Sequence, residues 1–291
     1  MANTINYAQL FQDGLDTVLA QELTTGWAEL NADRVKYNGG NEVKIAKLGL
    51  DGLDDYNRAT GYVAGNVTLT WETHTFRYDR GRKFTLEAMD VDESNFTATA
   101  GNVMGEFVRT IAVPEVDLIR IAGLAPKAGN KVRVDGDDKD ALEEFKAGIV
   151  AVRDAGYAGQ LVAHVTYAFL NELELKFAGQ LSEVTFAVAG IDTTFKTIDG
   201  VALIPTTSDR MHTKVKRTSV KIEADGNELA FLIAGKDIPI AVAKHNPVRT
   251  FTPEQNQTAE AYVLNYRIYH DIWVEDNKVD ALYAGYVGVL A

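Results

Sequence analysis

The chain has 291 residues, 46% hydrophobic and 24% charged, with 24 glycines and 6 prolines, proportions of a folded globular protein with length for one large or two medium domains. It has no cysteine, which excludes disulfides, thiolate metal sites and thiol nucleophiles. A formal net charge of -12 argues against a dedicated nucleic-acid binder and leaves room only for loose, local contact with DNA.

In chain order, residues from Tyr7 to Leu30 read as an amphipathic helix, with Leu10, Phe11, Leu15, Val18, Leu19 and Leu23 at helical spacing. Its apolar stripe needs a cover, on its own body or on a neighbour, and Leu15 and Leu19 are candidate contacts. The start of the chain lacks the basic end and apolar core of a secretory leader. No stretch approaches the roughly 18 apolar residues of a membrane span, so the expectation is a protein kept or assembled in the cytoplasm.

From Val43 to Leu86 the period changes to two: Val43, Ile45 and then Val67, Leu69 and Trp71 alternate with polar residues. A Gly/Asp-rich turn region from Gly49 to Tyr56, with Gly61 and Gly65, lies between the two runs. The pattern predicts a long antiparallel hairpin with a glycine-rich tip. A two-stranded ribbon is marginal in water, so a long one should rest on something else.

Residues Ser94 to Leu124 carry a long helix pattern, capped by Ser94 or Asn95, with Ala100, Val103, Met104, Phe107 and Ile111 at steps of three and four. Pro114 predicts a kink or restart, with Glu115 and Asp117 in the new first turn. A second helix is expected from Lys139 to Ala155, capped by Asp137 or Asp138 and stopped by Gly156. Leu161 to Val165, Val184 to Val188, Val201 to Ile204, Leu229 to Ile233 and Ile238 to Ala243 read as strands, and Tyr167 to Lys176 as a helix. Tyr262 to Val274 and Val279 to Val287 flank a polar turn and predict a second hairpin.

Catalytic constellations do not assemble. The histidines, at 74, 164, 212, 245 and 270, are dispersed, and nucleophile-elbow, phosphate-loop and dinucleotide signatures are missing. The acid-rich run Asp135 to Asp140 lacks the spacing of a calcium loop and suits a helix cap and solvated turn better than a cation site. His270 and Asp271 are adjacent on a strand, so they face opposite sides. Lys214, Lys216, Arg217 and Lys221 form a local basic stretch whose default reading is a solvated surface. The expectation is no catalytic, cofactor or metal residue. More informative is Arg77 with Tyr78 to Phe84, where charges of both signs lie in the expected arm; Arg and Asp there suit bidentate pairs across a subunit boundary or at the arm's base.

These segments, in order, resemble the major capsid proteins of tailed bacteriophages. The residues that carry the resemblance are Gly52 to Arg58, Val67 to Thr73, Asp79 to Phe84, Met89 to Glu93, Met104 to Phe107, Val113 to Asp117, Tyr266 to Asp271 and Asp276 to Lys278. The resemblance implies an α+β chain of the Hong Kong 97 fold: N-arm at 1–40, extended hairpin or E-loop at 41–88, peripheral domain with spine helix at 89–124 and 246–291, and axial domain at 125–245. It implies a structural subunit and not an enzyme, one that makes hexamers and pentamers of an icosahedral head around double-stranded DNA. The implied partners are further copies of itself, a separate scaffold protein and a portal protein, with no membrane and no cofactor; the place is the virion capsid, assembled in the host cytoplasm. Asp54, Asp55, Tyr56, Arg58, Arg77, Asp79, Arg80, Arg82 and Lys83 join Leu15 and Leu19 as candidate inter-subunit contacts. A bacterial encapsulin compartment shares this fold, and an α+β enzyme is the alternative of another class.

Overall fold

A computed structural model of the chain describes residues 22–37, 42–56, 58, 61–89, 100–135, 140–176, 181–188, 191–218, 221–256 and 258–288. Most of the expected first helix, with Leu15 and Leu19, lies outside these residues. Its expected end is different: Gly26–Arg34 is a 3-10 helix with Trp27 and Ala28 in the core. Tertiary contacts of this segment, set out below, override its α-helical pattern.

Strand β1 (Val35–Tyr37) pairs with β2 (Glu42–Leu50), and β2 pairs with β3 (Val67–Thr75), all antiparallel. This is the predicted hairpin, but it closes at Thr75. The next strand, β4 (Tyr78–Glu87), was expected to extend the arm to Leu86; it turns away to pair with a strand near the C-terminus. The segment Tyr78 to Phe84 therefore lies in the body.

The long helix runs as α1 (Ala100–Phe107), a π-helical turn (Val108–Ala112) and α2 (Val113–Leu124); the expected caps Ser94 and Asn95 lie outside the described residues. Pro114 explains the wide turn. It has no N–H to donate and its ring crowds the carbonyl four residues back, so the helix loosens before it and restarts with Glu115 in the first turn. Helix α2 is buried on nearly all sides, as expected of a helix enclosed by several layers.

Strand β5 (Asn130–Arg133) is followed by α3 (Ala141–Asp154), capped by Asp140. The cap is not Asp137 or Asp138, which lie outside the described residues: the Asp140 carboxylate accepts the Leu142 N–H at 2.9 Å. Gly156, with φ of 90°, ends the helix as expected. Then come β6 (Leu161–Thr166), α4 (Tyr167–Lys176), β7 (Ser182–Val188), β8 (Ile191–Ile198), β9 (Val201–Thr206), β10 (His212–Arg217), β11 (Ile222–Gly235), β12 (Ile240–Phe251), β13 (Ala261–Trp273) and β14 (Leu282–Tyr286).

These form a mixed eight-stranded sheet in the order β5-β14-β11-β6-β9-β8-β7, with β10 beside β11, and a three-stranded sheet β12-β13-β4. The expected C-terminal hairpin does not form. A 3-10 helix, Asp276–Ala281, carries the chain away from β13, and β14 pairs with β11 and β5 in the large sheet. The main core lies between that sheet and α3, α4 and the end of α2; a second packs Met104, Val108, Ala112, Val113 and Val116 on Leu264, Tyr266 and Ile268.

Candidate functional site

The hairpin changes its buried face along its length. At its base, Val43 and Ile45 are buried with Phe76, Ile240 and Trp273. Farther out, that same face carries Lys47, Gly49, Thr68 and Thr70, and the opposite face becomes apolar. The register sets Leu48 against Leu69 and Leu50 against Val67, with Trp71 beside them across from Ala46. Lys36 lies over the Trp71 ring, 4.9 Å from its centre; the leucines and Val67 stay exposed. Of seventeen exposed large hydrophobic residues among those described, nine lie between Leu48 and Trp71, a concentration that single surface residues do not explain.

The tip, 51–66, is held by the Asp51 carboxylate, which accepts the Asn66 N–H at 2.7 Å, and by the Asp51 N–H, which donates to the Asn66 carbonyl at 3.3 Å. Leu53, Tyr56, Tyr62 and Val63 are exposed there, with the Tyr56 and Tyr62 rings edge to face at 4.9 Å. Asp54, Asp55 and Arg58 are exposed beside them. The tip is thus acidic and apolar together.

The charged run after the hairpin finds partners inside the chain. Arg77 makes two side-chain bonds of 2.9 Å to the buried Asp271, and the Asp271 carboxylate holds its guanidinium above the usual range. Arg80 clasps Glu115 with bonds of 2.6 and 3.1 Å. Arg267 donates to Asp79 at 2.8 Å and holds that carboxyl below the usual range. Arg82 and Lys83 stay exposed on β4. Sequence reading picked out the residue types here, but Glu115, Asp271 and Arg267 come together only through the fold.

A cleft of about 1120 Å³ opens between β4, β13 and the π turn, lined among others by Arg80, Arg82, Phe107, Ile111, Lys221 and Tyr266. Its lining is mixed in charge, with Glu115, Asp209 and Glu223 beside the basic residues, and Lys221 pairs with Glu223 at 3.2 Å. Ile111, exposed on the π turn, adds an apolar spot.

No family model matches the chain, and no curated protein matches it in sequence. Among solved structures it is similar to the mature capsid of bacteriophage PhiM1, at 9% identity over 87% of this chain and 84% of that one, with a TM-score of 0.59. It is also similar to the capsid of the cyanophage P-SCSP1u, at 8% identity over 87% and 85%, TM-score 0.58. A virus-like particle from Pyrococcus furiosus matches at 11% identity over 96% of this chain and 99% of that one, TM-score 0.54. The fold is the Hong Kong 97-type capsid fold.

Within this capsid fold, the basic stretch on β10 is not a bare cationic surface. Cross-strand pairing sets Lys214 opposite Asp225 and Lys216 opposite Glu223, so acids offset the lysines locally. Arg217 lies over the Tyr78 ring and donates to the Arg77 carbonyl at 3.2 Å. Asp135 pairs with Arg133, and Asp140 with Lys176 as well as with its helix. Among the described residues no group of three or more metal-ligating side chains converges, and no helix is long and apolar enough to cross a membrane. What the sequence reading missed is a buried polar cluster around Asp117, Arg120 and His164. By sequence alone Asp117 is a helix-start residue and His164 one of the dispersed histidines.

Proposed function

We propose that the chain is a major capsid protein, a non-catalytic subunit that builds hexamers and pentamers of an icosahedral head around double-stranded DNA. The observation that carries this reading is the outer hairpin: an apolar face on a two-stranded ribbon, left largely uncovered by the described residues and with too little core to stand alone. A second copy supplies the cover. In this reading the hairpin at 42–75 is the extended arm, the long helix with the β12-β13-β4 sheet is the peripheral domain, and the eight-stranded sheet is the axial domain.

The acidic, apolar tip suits the part of a neighbour's cleft where Arg82 and Ile111 are exposed. Asp54 and Asp55 would face Arg82, and Leu53 would meet Ile111. Contacts of this kind fix register and partner choice. The pairs Arg77–Asp271, Arg80–Glu115 and Asp79–Arg267 keep the arm's base and the cleft wall rigid, while the tip and the π turn absorb the angles that differ between hexamer and pentamer. A separate scaffold protein, a portal protein and loose contact with packaged DNA complete the set of partners; assembly takes place in the host cytoplasm and the product is the virion shell.

The test is deletion of residues 52–65. The expected result is a folded subunit that forms no shells under the electron microscope, against closed particles from the intact chain. Normal particles from the deletion would refute the arm's role. A charge exchange tests the cleft: Asp54→Lys blocks assembly, and adding Arg82→Glu restores it. The likeness to the Pyrococcus furiosus particle favours a second reading, a shell without a genome, and the nucleic acid content of particles made in the native host separates the two.

A further inference from the structure

The segment from Leu23 to Tyr37 is a strap held to the body by Leu23, Trp27 and Ala28 in the cores and by a set of polar groups taken out of water. The fully buried Asp117 carboxylate accepts from the Thr24 N–H at 3.1 Å and hydroxyl at 2.9 Å, and from the Thr25 N–H at 3.0 Å and hydroxyl at 2.6 Å. Arg210 adds a fifth bond to it at 3.0 Å. The equally buried Arg120 pairs with Glu29, and Arg34 pairs with Glu275. Asn31 donates to the carbonyls of Lys236 and Pro239 at 2.9 and 2.8 Å. Among the described residues eleven polar or charged ones are buried, and Thr25, Asp117, Arg120, His164, Thr206 and Glu275 all serve this strap or back a group that does. A fastening made of hydrogen bonds, unlike an apolar one, can be undone by a change of protonation.

One contact has that property. Trp27 and His164 are each 1% exposed, and the indole N–H donates to His164 Nε2 at 3.0 Å. An indole only donates, so Nε2 must be the bare nitrogen. The hydrogen then sits on Nδ1, 3.1 Å from the Thr206 hydroxyl, which passes its own hydrogen to the Ile204 carbonyl at 3.3 Å. A second proton has only Nε2 to go to, and there it meets the indole N–H head on. The neighbours of His164 in the sheet, Leu232 on β11 and Ile204 on β9, are apolar and buried. The charge that acts on it is Asp117 on α2, which favours the imidazolium but is already engaged by five donors, Arg210 among them. From the strap, Glu29 is taken by Arg120. Burial outweighs Asp117 and pushes His164 down to about 4 from an ordinary 6.5.

We propose that Trp27 and His164 form a proton-gated latch: neutral His164 keeps the strap closed on the body, and protonation of Nε2 releases it. Because the strap runs straight into β1, which braces β2 through Val35–Ile45 and Tyr37–Val43 pairing, release also removes one support from the hairpin base. The sign follows from the lowered value. Closure is fully favoured above pH 6.5 and loses ground as pH falls from there to about 4. The ratio of closed to open falls by the order of 100-fold by pH 4 and tends to the order of 300-fold below it. The latch does not depend on the shell reading.

The test is hydrogen exchange by mass spectrometry on the full-length chain, corrected for intrinsic rates, at about pH 7 and about pH 4.5. Peptides spanning 22–37 are expected to lose protection at least tenfold at the lower pH, while β6 and β11 keep theirs. His164→Gln, whose amide can accept from Trp27 and donate to Thr206 without titrating, should hold the strap closed at both. Equal loss in His164→Gln and the unaltered chain would overturn the latch and assign release to a carboxylate, and so would full protection of the unaltered chain at pH 4.5. If His164→Gln does not fold, Trp27→Phe decides: with the indole donor gone the strap should exchange faster already at pH 7, and a rate there equal to that of the unaltered chain overturns the latch.

Discussion

Arg77 grips Asp271 three times across 194 residues of chain, through Nε and Nη2 at 2.9 Å and through its backbone N–H at 3.1 Å. The grip sits where the hairpin ends and β4 begins, so it fixes the arm's root to β13. Asp271 is fully buried and Arg77 is half exposed. The two ends should therefore respond unequally. Arg77→Ala strands a carboxylate out of water and is expected to lower stability by about 3 kcal/mol; Asp271→Asn, which strands no charge, should cost about half that. Urea midpoints of the two variants check the order, and a reversed order would show that the pair is not what fixes the root.

The outer face of the hairpin should matter to association and little to the fold. Leu48→Ser with Leu69→Ser is expected to leave stability within about 0.5 kcal/mol, as exposed substitutions do. Sedimentation should then show that the variant no longer forms large particles. A marked drop in melting temperature would mean that these side chains pack on their own body.

Gly148 brings α3 close to the large sheet: an added Cβ would lie 2.9 Å from both Ile233 and Tyr283. Gly148→Ala is expected to cost about 1–3 kcal/mol by overpacking. Gly52→Ala, at the open tip where nothing lies within 4 Å, should be silent. Thermal unfolding of the pair separates core from arm in a single comparison.

Asp79 gives a small acid-side signature. Its carboxyl is held down by Arg267, so its contribution is present above the ordinary carboxylate value of 3.8 and is lost as pH falls through the lowered one. The pair is solvent-exposed, so the effect should be about 0.5 kcal/mol. Asp79→Asn is expected to remove it at pH 7 and to match the unaltered chain in strong acid; a gap that persists in acid would point to packing and not to charge.

Periodicity made individual elements legible and left their partners hidden. The helix at Tyr167–Lys176 and the strands at Leu161–Thr166 and Val201–Thr206 lie where the pattern puts them, because a local spacing of apolar residues decides which face can be buried. Alternation in Val279 to Val287 likewise marks a strand, but not that it bonds to β11 and β5 in place of β13. Strands β8 and β10 are rich in Thr and Lys and carry too little apolar signal to be read in advance. The exposed apolar arm was legible from its alternating face and glycine-rich tip. The buried cluster at Asp117 and His164 was not, since its members are scattered along the chain and polar residues look alike at the surface and in the core. The resemblance of ordered segments to phage capsid proteins supplied the overall fold that local patterns do not.

The pairing of β4 with β13 has a consequence for synthesis. When the ribosome has made β4, the strand it needs is still almost two hundred residues from emerging, and α1 and α2 have no sheet to lie on. Contacts so distant in sequence slow folding and leave a strand edge and a greasy helix face open on the nascent chain. A nascent chain therefore cannot close β4 against its partner until β13 has left the ribosome, however stable the finished fold.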